Sequence, residues 1–138
     1  MNTTASPITR PDSLAAVAAR CRGGCDQDAF WPWLREALDE FYSHPDRRGE
    51  FLAGEPRSVG PLYDAYLGAV AEHLARHHGL PVPPWSEQSH RFLDLPHFGT
   101  KVEGLKPLLL AESPIAFRRR QIFVSENALT RARSFARP

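Results

Sequence analysis

The sequence has little cysteine, little lysine and no long apolar run. No apolar stretch approaches the roughly 18 residues of a transmembrane helix, so we expect no membrane span. The N-terminus has neither a charged start nor an apolar core, and it predicts no secretory signal and a cytoplasmic location. Cys21 and Cys25 are the only cysteines. Because a zinc site uses about four ligands, we interpret them as ordinary thiols, with a metal or disulfide role as the alternative.

The sequence also lacks the short motifs that identify common enzymes. It has no Gly-x-Ser-x-Gly nucleophile turn, no Walker A loop and no Gly-x-Gly-x-x-Gly. Glu36, Asp39 and Glu40 fall opposite an apolar helix stripe, which is typical of a solvated face rather than of paired catalytic carboxylates. We therefore predict no cofactor and no catalytic residue, and we favour a protein that is not an enzyme.

What the sequence does contain is typical of one globular domain. Hydrophobic residues make up 42% and charged residues 24%, and the formal net charge is +1. Arginine outnumbers lysine by 15 to 2, which a GC-rich genome explains without selection for nucleic acid. We expect residues 1–10 to form a disordered arm and residues 11–138 to form a single helical domain.

Two strong helices are predicted from apolar periodicity. Apolar residues within 30–41 recur at the spacing of one helix face, with Pro32 expected in the first turn. A second stripe follows Pro61, a residue typical of the first helical position, and ends at Gly79, a typical C-terminal stop. With weaker segments before and after, the pattern predicts an all-α, compact single-domain bundle of five to seven helices.

The last third of the chain predicts shorter elements. Trp85 follows a proline-rich connector, which we expect to lay its ring against the core. Four leucines within 105–110 indicate a short, mostly buried helix. Residues 121–124 are β-branched and aromatic and predict one short extended segment. Ser125 is placed to cap a last helix that runs through Ala132.

Charge is distributed unevenly along the chain. Residues 26–55 carry eight acids and three arginines, whereas residues 118–138 carry six arginines and one acid. The basic segment can pair with the acidic region, dock onto an acidic protein surface or bind phosphates. Arg118, Arg119 and Arg120 spread over about 200° of a helix, so we expect one of them to meet an internal acid and two to be exposed.

Two histidines lie at helical spacing. His73 and His77 are four positions apart, and Glu72 precedes the first of them, whereas a zinc protease places its glutamate after that histidine. His77 and His78 fall in the last helical turn, where a protonated imidazole interacts favourably with the helix dipole. We predict a structural role and no metal site, with a metal or catalytic role for His73 and His77 as the alternative.

Much of the chain, residues 27–130, resembles a known module. The segments that carry the resemblance are residues 62–80, 84–85, 91–94 and 111–129. Together they resemble a poorly characterised bacterial helical module of toxin–antitoxin-like operons, found after helix-turn-helix regulators or beside nucleotidyltransferase-like proteins. Its most specific stretch is AFRRRQIF at residues 116–123. The resemblance implies a regulatory or partner-binding role, and it carries over no catalytic residue.

The first functional hypothesis is a small antitoxin-like protein that binds a protein partner. It would cover the active site of a toxin-like enzyme, with Arg118, Arg119 and Arg120 meeting acidic catalytic groups. Trp31 lies off the apolar stripe and is the better interface anchor, whereas Trp33 lies on it. Charge reversal of the second and third arginines is then expected to abolish binding without unfolding the protein.

Two alternatives use the same segment differently. The first is a nucleic-acid-binding regulator, in which Arg131 and Arg133 join the three consecutive arginines on a phosphate backbone. The second is a small toxin-like enzyme such as a metal-independent RNase, with His73 and His77 as acid–base groups and the arginines as phosphate ligands.

Overall fold

The computed structural model describes residues 10–21, 26–126 and 129, and these residues are mostly helical. Their elements in chain order are α1 (Leu14–Arg20), α2 (Gln27–Ser43), α3 (Arg48–Ala53), α4 (Pro61–His77), β1 (His97–Phe98), α5 (Lys106–Glu112), α6 (Ile115–Arg118) and β2 (Ile122–Phe123). Short 3-10 turns span Pro45–Arg47, Pro84–Glu87, Ser89–Arg91 and Glu103–Leu105. The predicted mostly-α fold with a short extended segment is confirmed.

Helix α4 is the centre of the fold. It is buried along most of its length, and α6 and the turns at 84–87 and 89–91 pack against it. Helices α1, α2 and α3 form a second group, in which α1 contacts both of the others. The apolar stripe predicted for α2 is buried, with Phe30, Leu34 and Phe41 each at most 1% exposed.

The helix ends follow from capping side chains and glycines. The carboxylate of Asp26 accepts the backbone N–H of Ala29 at 2.9 Å, so α2 begins at Gln27. Pro32 is therefore the sixth residue of α2, and its predicted place in the first turn is wrong by about one turn. Pro61 begins α4 as predicted, and Gly79 adopts a φ of +67° just beyond its end.

The two strands form a small parallel sheet, with His97 opposite Ile122 and Phe98 opposite Phe123. Strand β2 falls within the extended segment predicted at 121–124. Strand β1 was not predicted, because two residues are too few to show an alternating pattern. The pairing places the chain around residues 97–99 beside the end of the arginine triplet, since the N–H of His97 donates to the carbonyl of Gln121 at 2.8 Å.

Helix α5 is largely exposed, which corrects the prediction of a mostly buried helix. Leu109 is buried, but Leu105, Leu108 and Leu110 are 46%, 53% and 45% exposed. Successive residues of a helix point about 100° apart, so one packed face cannot bury three consecutive leucines. The prediction for Trp85 is confirmed: the residue is buried, and its Nε1–H donates to the carbonyl of Leu52 at 2.9 Å.

Two further predictions concern residues at the edges of the described ranges. Cys21 is disulfide-bonded and buried, so its interpretation as an ordinary thiol is wrong; Cys25 lies outside the described residues. Arg10, assigned to the N-terminal arm, pairs with Glu36 at 2.9 Å and Glu40 at 3.6 Å. Residues 1–9 and most of the predicted last helix lie outside the described ranges.

Candidate functional site

The third arginine of the triplet is fully buried against α4. Arg120 and Glu72 are both 0% exposed, and Nη1 of Arg120 donates to Oε1 of Glu72 at 2.6 Å. The same guanidinium donates to the carbonyls of Ala116 at 2.8 Å and Ser86 at 2.7 Å. Arg120 therefore joins α4, α6 and the turn at 84–87. Its placement on a partner-binding or nucleic-acid-binding surface is corrected, because its charge is used inside the fold.

Arg119 bridges two glutamates beside this buried pair. Its Nη1 lies 2.6 Å from Oε1 of Glu72, and its Nη2 lies 2.9 Å from Oε1 of Glu87. The hydrogen bond from Arg119 lowers the pKa of Glu87. Burial acts to raise the pKa of Glu72, but the hydrogen bond from Arg120 and the charges of the neighbouring arginines outweigh it and hold that pKa low. Phe92 lies 4.5 Å from the guanidinium of Arg120, measured to the ring centroid.

The first arginine of the triplet ties α6 to the end of α5. Nη2 of Arg118 donates to the carbonyls of Ala111 at 3.2 Å and Ser113 at 3.1 Å. The expectation that one arginine meets an internal acid while two are exposed describes the exposure correctly, since Arg118 and Arg119 are exposed residues. All three nevertheless bond within the fold, so the triplet mainly holds helices together.

Two parts of the charge prediction have a different outcome. The internal acids that meet the triplet are Glu72 and Glu87, not members of the acidic region 26–55. Arg131 and Arg133 lie outside the described residues. A partner-binding role for the exposed Arg118 and Arg119, and for Trp31, stays a prediction.

An open groove of about 780 Å³ lies beside the N-terminal ends of α2 and α4. Residues of α5 and the segment after β1 complete it. Its apolar surface comes from aromatic and leucine side chains, principally Trp31, Tyr63, Tyr66, Phe98, Leu105 and Leu108. This volume is within the range of pockets that bind small molecules or single side chains of a partner.

The aromatic wall of the groove is held by ring-to-ring contacts. Trp31 meets Tyr66 edge-on with centroids 4.9 Å apart, and it meets Phe30 edge-on at 5.2 Å. Tyr63 stacks on Phe30 at 4.4 Å. Trp31 is half-buried in this wall, whereas Trp33 lies outside it and contacts Arg20 at 5.1 Å. The structure thus places Trp31, the predicted interface anchor, in a groove.

Large exposed apolar side chains are concentrated in one part of the chain, and two of them, Leu105 and Leu108, line the groove. Six of them are between 45% and 76% exposed, and all lie within residues 95–115: Leu95, Val102, Leu105, Leu108, Leu110 and Ile115. A contiguous exposed apolar surface marks an interaction site, and Leu105 and Leu108 continue the apolar lining of the groove in this way. The sequence analysis missed this surface because it assigned the leucines to the core. The run of consecutive leucines was the signal that could have revealed it.

Few charged groups enter the groove. Glu112 and Lys101 both contribute to its lining, and neither forms an ion pair within the described part of the chain. Oε1 of Glu112 accepts the backbone N–H of Glu126 at 3.2 Å. Burial lowers the pKa of His97, so its imidazole is neutral at pH 7. Burial likewise raises the pKa of Tyr66, which keeps its hydroxyl protonated.

The two histidines of α4 lie together in a smaller depression of about 390 Å³. The ring centroids of His73 and His77 are 4.0 Å apart, and Arg76 and Glu112 also line the depression. Nδ1 of His77 is 3.1 Å from the carbonyl of His73. No cluster of three or more metal-ligating side chains occurs among the residues that the structure describes. The structural role of His73 and His77 stays a prediction.

The half-buried position of His73 predicts an acid-dependent loss of stability. Burial, together with the charges of His77 and His78, lowers its pKa from 6.5 to about 4. Between the two pKa values His73 is protonated in the unfolded chain but not in the folded chain. The free energy of unfolding therefore falls as pH decreases. We expect His73→Gln to flatten this dependence, measured by urea unfolding from pH 7 to pH 4. An unchanged slope would contradict the assignment.

No described helix has both the length and the apolar character required to span a membrane. The site thus combines an apolar, partly aromatic groove with arginines that bond within the fold. No protein-family model, curated protein sequence or solved structure matches this chain.

Proposed function

We propose that this chain is a helical protein-binding protein, antitoxin-like, that regulates a partner enzyme by covering it. The observation that carries the proposal is the apolar groove that contains Trp31 together with the exposed side chains of Leu105 and Leu108. Burying such a surface against another protein is favourable by about 25 cal/mol per Å². The resemblance to a module of toxin–antitoxin-like operons supports the regulatory part of the proposal.

The proposed contact surface differs from the one expected from the sequence. Arg120 is buried, and Arg119 is bound to Glu72 and Glu87, so an acidic partner would have to compete with these internal pairs. The apolar surface meets no such competition. Half-exposed leucines such as Leu108 contribute favourable free energy when a partner removes them from water, and they gain packing contacts in the complex. We therefore propose the groove side as the docking side.

The alternatives drawn from the sequence have weaker support. A nucleic-acid regulator needs free cations, whereas Arg119 and Arg120 pair with glutamates and Arg118 donates to two backbone carbonyls within the described residues. A toxin-like enzyme would use the depression around His73 and His77 as its site. The cytoplasmic location belongs to this proposal as well, although a disulfide such as that of Cys21 is rare in a reducing cytoplasm.

Substituting one exposed leucine tests the docking surface. We expect Leu108→Asp to reduce capture of a stoichiometric partner from the native host about tenfold or more, because a charge replaces an apolar contact. The matched control is Ala53→Asp, which adds the same charge at an exposed position of α3. Both variants should keep the wild-type circular dichroism spectrum.

Three results, two from the capture experiment and one from expression of the protein, would count against the proposal. Equal capture by Leu108→Asp and the wild type would remove the apolar surface from the interface. Nucleic acid in the eluate without protein would favour the regulator. Toxicity of the expressed wild type that His77→Ala relieves would favour the enzyme.

A further inference from the structure

The groove contains a carboxylate that has no cationic partner in the described residues. Glu112 is half-buried at the end of α5, and its Oε1 accepts a hydrogen bond from the backbone N–H of Glu126 at 3.2 Å. The fully buried Glu72, by contrast, meets Arg76, Arg119 and Arg120. A partly buried charge without a counter-ion favours a ligand that brings one.

The walls next to this carboxylate also favour a cation. Trp31, Tyr63, Tyr66 and Phe98 line the same groove, and the faces of aromatic rings attract positive charge. One wall already holds a cation of the protein itself: Nζ of Lys106 lies 5.1 Å from the centroid of the Phe98 ring. The faces of the aromatic rings therefore attract cations, as the carboxylate of Glu112 does.

Other charged residues near the groove carry charges of both signs. Asp26 and Asp28 act on Tyr63 strongly enough to raise its pKa further, after burial, which is the largest cause. Lys106 contributes no net charge because it pairs with Glu103 at 2.7 Å. Lys101 is the one opposing cation among the described lining residues, and it is exposed to solvent. Glu112 and Lys101 therefore balance each other among the described lining residues, and Asp26 and Asp28 add negative charge near Tyr63.

We propose that the groove receives a basic side chain of the partner protein, an arginine or lysine flanked by apolar residues. This inference rests on the proposed function and names the chemistry of the segment that docks. The cation meets Glu112 and the rings of Trp31 and Tyr66. The flanking apolar residues cover exposed leucines such as Leu105 and Leu108. A free organic amine would fill the groove but leave those leucines in water, which is why a protein segment is favoured.

Three short peptides that differ at one position test this inference. Each is acetylated and amidated, with two leucines on each side of a central arginine, citrulline or glutamate. Binding is followed by the shift of the Trp31 indole N–H in ¹H–¹⁵N spectra of the whole chain. We expect the arginine peptide to bind about tenfold more tightly than the citrulline peptide and the glutamate peptide to bind most weakly.

Two variants on the groove make the charge argument specific. Glu112→Gln retains an oxygen that accepts the Glu126 N–H, and it should weaken the arginine peptide roughly threefold while leaving the citrulline peptide unchanged. Lys101→Gln should strengthen the arginine peptide by a similar factor. Opposite effects of these two variants on one peptide distinguish charge recognition from a change in folding.

Several results would overturn the inference. Equal binding of the arginine and glutamate peptides, or no shift of the Trp31 signal at millimolar peptide, would show that the groove does not select a cation. Tighter binding of 2-phenylethylammonium than of the arginine peptide would assign the groove to a free amine. The proposed function would survive each of these, because the Leu108→Asp capture experiment depends on the apolar surface and not on Glu112.

Discussion

Reversing the charge of Arg120 is expected to unfold the protein. The Arg120→Glu side chain would lie against Glu72 at a position that is 0% exposed, where two carboxylates cannot both stay ionised. The variant would also lose the hydrogen bonds to the carbonyls of Ala116 and Ser86. Breaking a buried pair from one side costs about 3–5 kcal/mol, which is comparable with the total stability of a small domain.

Circular dichroism and urea unfolding measure this effect, and two comparisons make it specific. Arg76→Gln removes a different arginine from the same carboxylate, but the Arg76 side chain is 59% exposed, so we expect less than about 1 kcal/mol. The double variant Arg120→Met with Glu72→Met removes both buried charges and should recover most of the loss, because Arg76 and Arg119, which also lose Glu72, are partly exposed to water. A folded Arg120→Glu protein of wild-type stability would contradict the burial of this side chain.

The unfolding of Arg120→Glu changes how partner-binding experiments must be designed. The sequence predicted that reversing Arg119 and Arg120 would abolish binding without unfolding. In the structure such a variant would lose binding because it loses its fold, and the result would say nothing about the interface. Substitution of an exposed residue such as Leu108 avoids this ambiguity.

A leucine at Gly68 is expected to destabilise the protein by about 3 kcal/mol or more. A Cβ at this position of α4 would lie 3.0 Å from Nε of Arg120, 3.2 Å from Cβ of Arg91 and 3.3 Å from the carbonyl of Ser86. Arg91 and Arg120 are each held in place by several hydrogen bonds, so neither can move aside. Glycine therefore allows two buried arginines to pack across α4.

The same substitution at a second helical glycine is the control. A Cβ at Gly49 in α3 would meet nothing within 4 Å, and the residue is exposed. Gly49→Leu should therefore be neutral or stabilise the protein by up to about 1 kcal/mol, because leucine favours helix more than glycine does. Urea unfolding of the two variants compares them directly. Equal effects at Gly68 and Gly49 would show that close packing at Gly68 does not matter.

The main helices could be predicted because their signals are local. The stripe from Phe30 to Phe41 and the boundaries Pro61 and Gly79 each concern residues within a few turns of one helix. The position of Pro32 was misjudged by about one turn, because the side chain of Asp26 caps the helix earlier than the first apolar residue suggests. Such errors shift an element without changing the fold.

The candidate site was predicted only in part. Trp31 was identified because it lies off the α2 stripe, and the structure places it in the groove. The groove also needs Phe98 and Leu108, which reach it through the β1–β2 pairing and the position of α5. A second face of α4 offered a signal for the buried arginines: small residues such as Gly68 and Ala75 follow the spacing of Glu72. Such a face is open to a large partner, and the sequence does not say which one.

The sequence by itself determined that the chain is helical, where its main helices lie to within about one turn, and which of their faces are apolar. These properties depend on backbone geometry and on neighbours three or four positions away. Only the tertiary structure decided that Arg120 is buried on Glu72 while Leu108 and Leu110 of α5 remain exposed. The ion pair joins residues 48 positions apart. Whether a charged side chain is neutralised inside the fold or remains available to a partner depends on which helices pack together, and local sequence does not decide that.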